Sequence, residues 1–370
     1  MYIKQINFQN FRNFEKIELT INPGFIILTG PNGAGKTNFL EGLYFGCTLG
    51  RFPTSQLSHL MRQQEKFFHI LISLRNSDED RLEVFGLRED DHTALKLKVN
   101  HQIENRTAYA SHASLISFLP EDLNLLTHSP GGRRRFLNEA LSSSSRAHHH
   151  AIVQYERALK QRNQFLQMLA AGGANGSQYD VWDEQAALFG SQVTAGRMEF
   201  AEFANTGIAA ILKFFAPDLN DISLEYHASG SASKDEFLQK LAAARPKEQQ
   251  TQTTIVGPHR DDFFTLRAGA NVVGYLSRGQ LRSITLSLKI LEKQYLEKFG
   301  HQPLMLLDDV FSEFDEAHQR QLMEFLKGFE QVFLTTAHLK EIGEFLPANY
   351  QLYNIDKGVL APSPREERAG

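Results

Sequence analysis

Three short stretches carry residue types arranged for phosphate chemistry. GPNGAGKTN (30–38) fits the pattern G-x-x-x-x-G-K-[ST]. Gly30, Gly33 and Gly35 let the backbone turn around an anion, and Pro31, Asn32, Ala34 and Asn38 complete the cradle and the helix start behind it. Lys36 is placed to reach β and γ oxygens, and Thr37 offers a hydroxyl to magnesium. LMLLDD (304–309) is an apolar run that ends in two acids. Asp308 suits a magnesium site, directly or through water, and Asp309 suits the orientation or deprotonation of an attacking water. A pair of acids after a strand also serves as a plain helix cap, and its company with the loop favours the chemical reading. In LSRGQLR (276–282), Ser277, the Gly279 amide and Gln280 open a strongly periodic helix, which makes a second anion-binding end. An ordinary cap has the same sequence.

These residues need a sheet and helices to hold them. Ile17, Leu19 and Ile21 alternate, and FIILT (25–29) is apolar throughout, as in a strand covered on both faces; the loop follows it directly. Strand-like runs recur at 68–74, 81–87 and 93–99. Further on, Ile152, Tyr155, Leu159, Leu166 and Leu169 form one helical stripe, and Trp182, Ala186, Phe189, Val193 and Phe200 form another. AAGGANGSQ (170–178) between them suits the tip of a helical hairpin. Strand character returns at TTIVG (253–257) and FFTLRA (263–268). A helix from Gly279 and buried-strand runs at 303–309 and 331–337 follow. The expected fold is α/β, a P-loop ATPase lobe (1–118 and 253–360) split by a mainly helical arm (119–252), with a flexible tail at 361–370.

Composition narrows the class. A single cysteine, Cys47, excludes an intramolecular disulfide or a cysteine-rich zinc site and fits a reducing cytoplasm. No run approaches roughly 18 apolar residues, and MYIKQINFQNF lacks a basic-then-apolar leader, so a soluble, unexported chain with no membrane partner is expected. Lys+Arg 39 against Asp+Glu 43 gives a net charge of -4, so binding to nucleic acid must come from local patches. The three histidines at 148–150 point different ways on a helix and make no chelate by spacing alone. Trp182 fits the apolar stripe better than a base-stacking role.

The order of loop, long insertion, S-x-G-Q helix and acidic strand resembles the ABC-type ATPases. That resemblance implies a site completed in trans, with Ser277 of one subunit against ATP on the other in an ATP-dependent head-to-tail homodimer. SEFD (312–315) then crosses the interface with Asp315 as its anchoring acid. FRNF (11–14), GPNGAGKTNFLEGLY (30–44), FLPEDLNLL (118–126), RRRFLN (133–138), GPHRDD (257–262), LSRGQL and LLDDVFSEFD resemble, in order and spacing, the RecF family, related to the SMC/Rad50 group. The likeness covers essentially the whole chain. Asn138 departs from it, standing where that family usually has aspartate, and RFPTSQ (51–56) is poorer in arginine than expected. The resemblance also places Arg12 beside the nucleotide. It makes His338 either a γ-phosphate sensor or a solvated histidine, and Glu121 or Asp122 either a metal neighbour or a plain helix-starting acid.

What the resemblance implies is a recombination mediator, cytoplasmic and nucleoid-associated, that uses ATP and Mg2+. It would clamp double-stranded DNA near single/double-strand junctions, work with RecR and RecO, and assist RecA loading. The resemblance implies DNA-stimulated hydrolysis, and hydrolysis should be weak because Asp309 stands where transporters and structural-maintenance proteins usually have glutamate, and the shorter side chain sets the base back from the water. Arg133, Arg134 and Arg135, with Arg157, Lys160 and Arg162 on the first arm helix, are the basic residues suitably placed for a duplex backbone. A charge run is also often only a solvated face. Among rivals, a transporter subunit does not need the roughly 240 residues between Lys36 and Ser277. A long-armed chromosomal ATPase would need hundreds of heptad-patterned residues. An ATP-driven nuclease would need a separate acidic metal cluster, for which HRDD (259–262) is the only candidate and is too isolated to carry that chemistry.

Overall fold

The computed structural model describes the chain apart from residues 51–55, 77, 91, 128, 174–177, 220 and 364–370. RFPTSQ, the tip of the expected hairpin and the expected tail lie wholly or partly outside the described residues. The chain forms two compact units, Met1–Asp122 with Leu296–Gly370, and Leu123–Tyr295.

The first unit holds two sheets. β1 (Tyr2–Phe11) and β2 (Phe14–Thr20) form an antiparallel hairpin, and β3 (Gly24–Thr29) leads into the helix α1 (Lys36–Thr48). β4 (Phe67–Arg75), β5 (Glu79–Glu89), β6 (His92–Val99) and β7 (Gln102–Ile103) extend the hairpin into a six-stranded antiparallel sheet in the order β2-β1-β4-β5-β6-β7. α2 (Arg106–Ala110) and β8 (Leu115–Phe118) close this first half of the unit.

The second unit begins with α3 (Pro130–Ser144), α4 (Arg146–Ala170) and α5 (Tyr179–Phe215). It continues through β9 (Ile222–His227), α6 (Lys234–Thr251), β10 (Asp262–Arg267) and β11 (Ala270–Asn271) to α7 (Arg278–Lys298), whose last residues belong to the first unit. The first unit resumes with β12 (Leu304–Asp308), α8 (Glu316–Leu326), β13 (Gln331–Thr336), α9 (Leu339–Ile342), β14 (Tyr350–Asp356) and β15 (Val359–Pro362). These complete its second sheet, in the order β15-β14-β3-β13-β12-β8.

In that second sheet β14, β3, β13, β12 and β8 are parallel, and the four central residues of β3 and every residue of β12 and β13 are buried. This is why the sequence reads there as continuous apolar runs and not as alternation. α1 is buried along most of its length. Phe39 meets Phe8, Phe14 and Phe333 at ring centroid distances of 5.5, 6.4 and 6.5 Å, and so ties α1 to both sheets. Parallel strands bring their carboxyl ends to one edge, the place where open α/β sheets bind ligands.

The second unit packs α4 and α5 as the expected helical stripes. Leu281, Ile284, Leu288, Leu291 and Tyr295 of α7 share its core with Phe200, Ala204 and Ile208 of α5, and β10 pairs along its whole length with β9. Residues 253–295 therefore belong with the helical part, which corrects the boundary at 252. TTIVG is not a strand either. Its polar backbone is satisfied by side chains instead: Asn163 accepts from the Thr254 amide at 2.8 Å, Glu248 from that of Ile255 at 2.9 Å and Ser229 from that of Gly257 at 3.3 Å. Trp182 packs beside Phe165, Leu166 and Tyr179, as the apolar stripe required. Among the described residues no helix is long and apolar enough to cross a membrane.

Candidate functional site

β3 and β12 flank β13, so the phosphate loop and the two acids leave the same edge of the sheet two strands apart. A cavity of about 400 Å³ lies there, lined by Asn32, Gly33, Gly35, Lys36, Thr37, Asn38, Asp308 and Asp309. Thr37 Oγ1 donates to Asp308 Oδ2 at 2.8 Å, which joins loop and acidic strand directly across 271 residues of sequence. Lys36 is 7% exposed, and its ammonium donates to the carbonyls of Gly30 at 2.7 Å and Pro31 at 3.2 Å, so it lies back along the loop it belongs to. Burial pushes the Asp308 carboxyl up, against the lowering effect of the bonds from Thr335 and Thr37. Asp309 follows with φ 51, in the left-handed region.

The loop is braced by residues that the motif does not contain. Asn13 Nδ2 donates to the Ala34 carbonyl at 2.8 Å, and Asn13 Oδ1 accepts from Asn38 Nδ2 at 2.8 Å. The Gly358 amide donates to that same Ala34 carbonyl at 3.2 Å. Two glycines have no freedom to change. A Cβ on Gly30 would stand 2.1 Å from the Ile355 carbonyl oxygen, and one on Gly35, at φ 118, would stand 2.5 Å from Asn13 Nδ2. FRNF thus contributes its asparagine to the loop. Arg12 does not line the cavity; its guanidinium makes bonds of 2.6 and 2.8 Å to both oxygens of Glu41 on α1. Asn13, Glu41 and Thr335 carry no signal in the sequence beyond the place of Asn13 in FRNF.

Ser277 is exposed in the second unit, and it and Gln280 form a reciprocal capping box. Gln280 N donates to Ser277 Oγ at 3.2 Å and Ser277 N to Gln280 Oε1 at 3.0 Å. Gln280 Nε2 is held by Asp218 at 2.7 Å, and a Cβ on Gly279 would stand 3.9 Å from Ser277 Oγ. Asp315 is the exposed cap of α8 and accepts from the amide and ring of His318 at 2.9 and 2.8 Å; these bonds hold its carboxyl below the usual range. His338 is exposed at the start of α9. Asp122 accepts from the Leu119 amide at 2.9 Å, the ordinary turn-capping role.

The basic residues separate by burial. Arg133 is 8% exposed and bidentate on Asp262 at 2.7 and 2.8 Å, with a further bond to the Leu126 carbonyl. Arg162 is fully buried between Asp183, Glu248 and Thr254. Both are drawn inward by carboxylates distant in sequence, which corrects their assignment to a DNA-facing surface. Arg134 is half-buried and donates to the Asp261 carbonyl at 3.0 Å; Arg135 is half-buried beside Glu139 at 3.6 Å; Arg157 and Lys160 are exposed.

GPHRDD is a structural knot. Asp261, fully buried, accepts from the Ser229 amide at 2.6 Å and from the Tyr226 hydroxyl. Arg197 bridges the Pro258 carbonyl at 2.7 Å and Asn138 Oδ1 at 2.8 Å, so Asn138 still supplies the acceptor that an aspartate would. Among the described residues no group of three or more His, Cys, Asp or Glu is arranged to hold a metal. His259 sits between the Tyr155 hydroxyl at 2.7 Å and the Thr254 carbonyl at 2.8 Å, and burial pushes its pKa down to about 4. The unfolded chain therefore binds the extra proton between the ordinary histidine value and about 4, so His259 removes stability as pH falls through that window. The expected result is a urea midpoint that drops on acidification from pH 7 to 4.5, with a smaller drop in His259→Gln; equal slopes in the two proteins would refute it.

The comparisons with known proteins agree on one family. The family profile described as RecF/RecN/SMC N terminal domain matches residues 2–360. The DNA replication and repair protein RecF of Moorella thermoacetica is 32% identical over 357 residues, covering 96% of this chain and 95% of that protein. RecF of Geobacillus kaustophilus is 30% identical, covering 98% and 100%. A solved structure of the recombination mediator protein RecF-ATPrS in the RecFOR pathway superposes with a TM-score of 0.85 at 26% identity over 98% of both chains. An Smc head bound to the C-winged helix domain of ScpA gives 0.55 at 15% identity, a likeness of fold alone.

Proposed function

Because the chain belongs to the RecF family of DNA replication and repair proteins, we propose that it is an ATP-dependent recombination mediator whose ATP-closed homodimer clamps duplex DNA beside single-strand gaps. The observation that carries this reading is the Thr37 to Asp308 bond across the cavity. It unites a hydroxyl and a carboxylate, the hard oxygen donors that suit magnesium, beside a lysine and a row of loop amides that suit a triphosphate. Thr37 and Asp308 would hold a magnesium ion there, and it would supply charge neutralisation to the triphosphate.

In this reading Lys36 swings from the Gly30 and Pro31 carbonyls onto β and γ oxygens, and the loop from Gly30 to Asn38 wraps the phosphates. Thr37 and Asp308 are the metal-side groups. Asp309, at the cavity wall, orients the attacking water and accepts its proton. Its short side chain makes turnover slow, so ATP acts as a timer. Ser277, exposed, with the half-buried Gly279 and Gln280 presents a helix start to the ATP held by a second copy, and Asp315 anchors the loop that crosses between the copies. Closure orders one interface, and hydrolysis reopens it. Arg157 and Lys160, both exposed on α4, and Arg134 and Arg135 at their half-exposed positions contact the DNA backbone with little regard to sequence. RecR, with RecO, is the partner that directs the clamp to gap boundaries ahead of RecA loading, in the cytoplasm at the nucleoid.

The test is gel filtration with ATP and magnesium, followed by binding to a gapped duplex. Wild type is expected to elute as a dimer and to bind DNA more tightly with ATP. Ser277→Arg is expected to bind ATP, elute as a monomer and lose the ATP-dependent part of DNA binding. ATP-stimulated DNA binding that survives Ser277→Arg would overturn the clamp.

A further inference from the structure

We infer that Thr335 is the positioning residue that lets two consecutive acids face one cavity and perform different tasks. This rests on the ATPase reading above for the tasks themselves, and on geometry alone for the positioning. Along a strand, neighbouring side chains point to opposite faces. Asp308 ends β12, yet Asp308 and Asp309 both line the same cavity. The break that permits this is the left-handed conformation of Asp309, φ 51, which residues other than glycine seldom adopt without support.

The support comes from the neighbouring strand. In the parallel ladder between β12 and β13, Thr335 stands opposite Asp308. Its hydroxyl, with the residue 1% exposed, has one proton and gives it to Asp308 Oδ1 at 2.7 Å. The remaining lone pairs accept from the Asp309 amide at 2.9 Å, and the Thr335 carbonyl takes that same amide at 3.2 Å. Because Asp308 Oδ2 is held by Thr37, both carboxylate oxygens have fixed partners and the group cannot rotate. One hydroxyl thus sets the plane of the first acid and the backbone turn that aims the second. Threonine at this point of a buried strand serves both ends, where valine of the same shape would release Asp308 and leave the Asp309 amide only the longer bond to the backbone carbonyl.

The experiment uses the full chain with Thr335→Val and Thr335→Ser. Amide hydrogen exchange at Asp309 is measured in the nucleotide-free protein, steady-state ATP hydrolysis gives kcat and KM, and a fluorescent ADP analogue is titrated without magnesium. The valine variant is expected to exchange the Asp309 amide about tenfold faster and to lose about tenfold in kcat, with analogue affinity within about threefold of wild type. Serine is expected to restore exchange and kcat together. Wild-type exchange or wild-type kcat in the valine variant, or failure of serine to restore both, would overturn the inference. Should the valine chain misfold by circular dichroism, Thr335→Ala carries the same expectations. A wild type without ATP turnover would sink the ATPase reading instead, and the exchange arm would still decide the positioning.

Discussion

Lys36→Ala is expected to weaken ATP binding by about ten- to a hundredfold, since a hydrogen bond to a charged partner contributes about 1.5–3 kcal/mol and about 1.4 kcal/mol is tenfold in affinity. The side chain is 7% exposed and already lies within the loop, so little ordering is required to turn it onto phosphate. Its present acceptors, the Gly30 and Pro31 carbonyls, belong to that loop, and its removal deprives the cavity of the one cation that lines it among the described residues. Fluorescent-nucleotide titration measures the loss. Lys36→Arg should rescue poorly, because a planar fork does not replace a compact ammonium in so tight a cradle. An affinity for ATP within threefold of wild type in Lys36→Ala would show that the triphosphate binds elsewhere.

Arg162→Met should be the most damaging substitution for folding, at about 3–5 kcal/mol, the usual cost of leaving buried charges without their partner. Arg162 and Glu248 are both fully buried at 2.7 Å, and Asp183, at 2.8 Å, is shared with Arg245. Desolvation works against the guanidinium, but Glu248 and Asp183 outweigh it, so its pKa is raised and it stays charged. Methionine fills similar space without that charge and strands Glu248. The double replacement Arg162→Met with Glu248→Gln should recover part of the loss, because it removes the uncompensated carboxylate too, while Asp183 keeps its pair with Arg245. Chemical denaturation followed by tryptophan fluorescence is suited to the measurement, since Trp182 packs in the same helical unit. A loss below about 1 kcal/mol would place Arg162 in the class of ordinary surface pairs.

What could be read from the sequence divides along a physical line. The phosphate loop and the acids of LLDD were legible because their chemistry is written in consecutive residues and their flanking strands are fully buried runs. The burial of Arg133 and Arg162 is not legible, because helical periodicity shows which face a residue occupies but not whether a carboxylate twenty or more residues away will meet it there. Asp262, Asp183 and Glu248 decide that, and none lies near its arginine in sequence. Thr335 was invisible for a related reason. Inside QVFLTTA it looks like a β-branched filler, and its importance comes from the ladder that sets it beside Asp308. TTIVG has strand-like composition, yet the side chains of Asn163, Glu248 and Ser229 satisfy its backbone and leave it no need of a neighbouring strand.

The bracing of the Gly30 turn by Ile355 and of Ala34 by Gly358 has a consequence for synthesis. The motif that grips the triphosphate emerges from the ribosome more than three hundred residues before the strand that walls it, Tyr350–Asp356. A nascent chain halted before that strand would carry every letter of the motif with its supporting wall still missing. Nucleotide capture would then be a late event in biogenesis, coupled to long-range closure of the sheet, so that a prematurely terminated product would lack a finished grip.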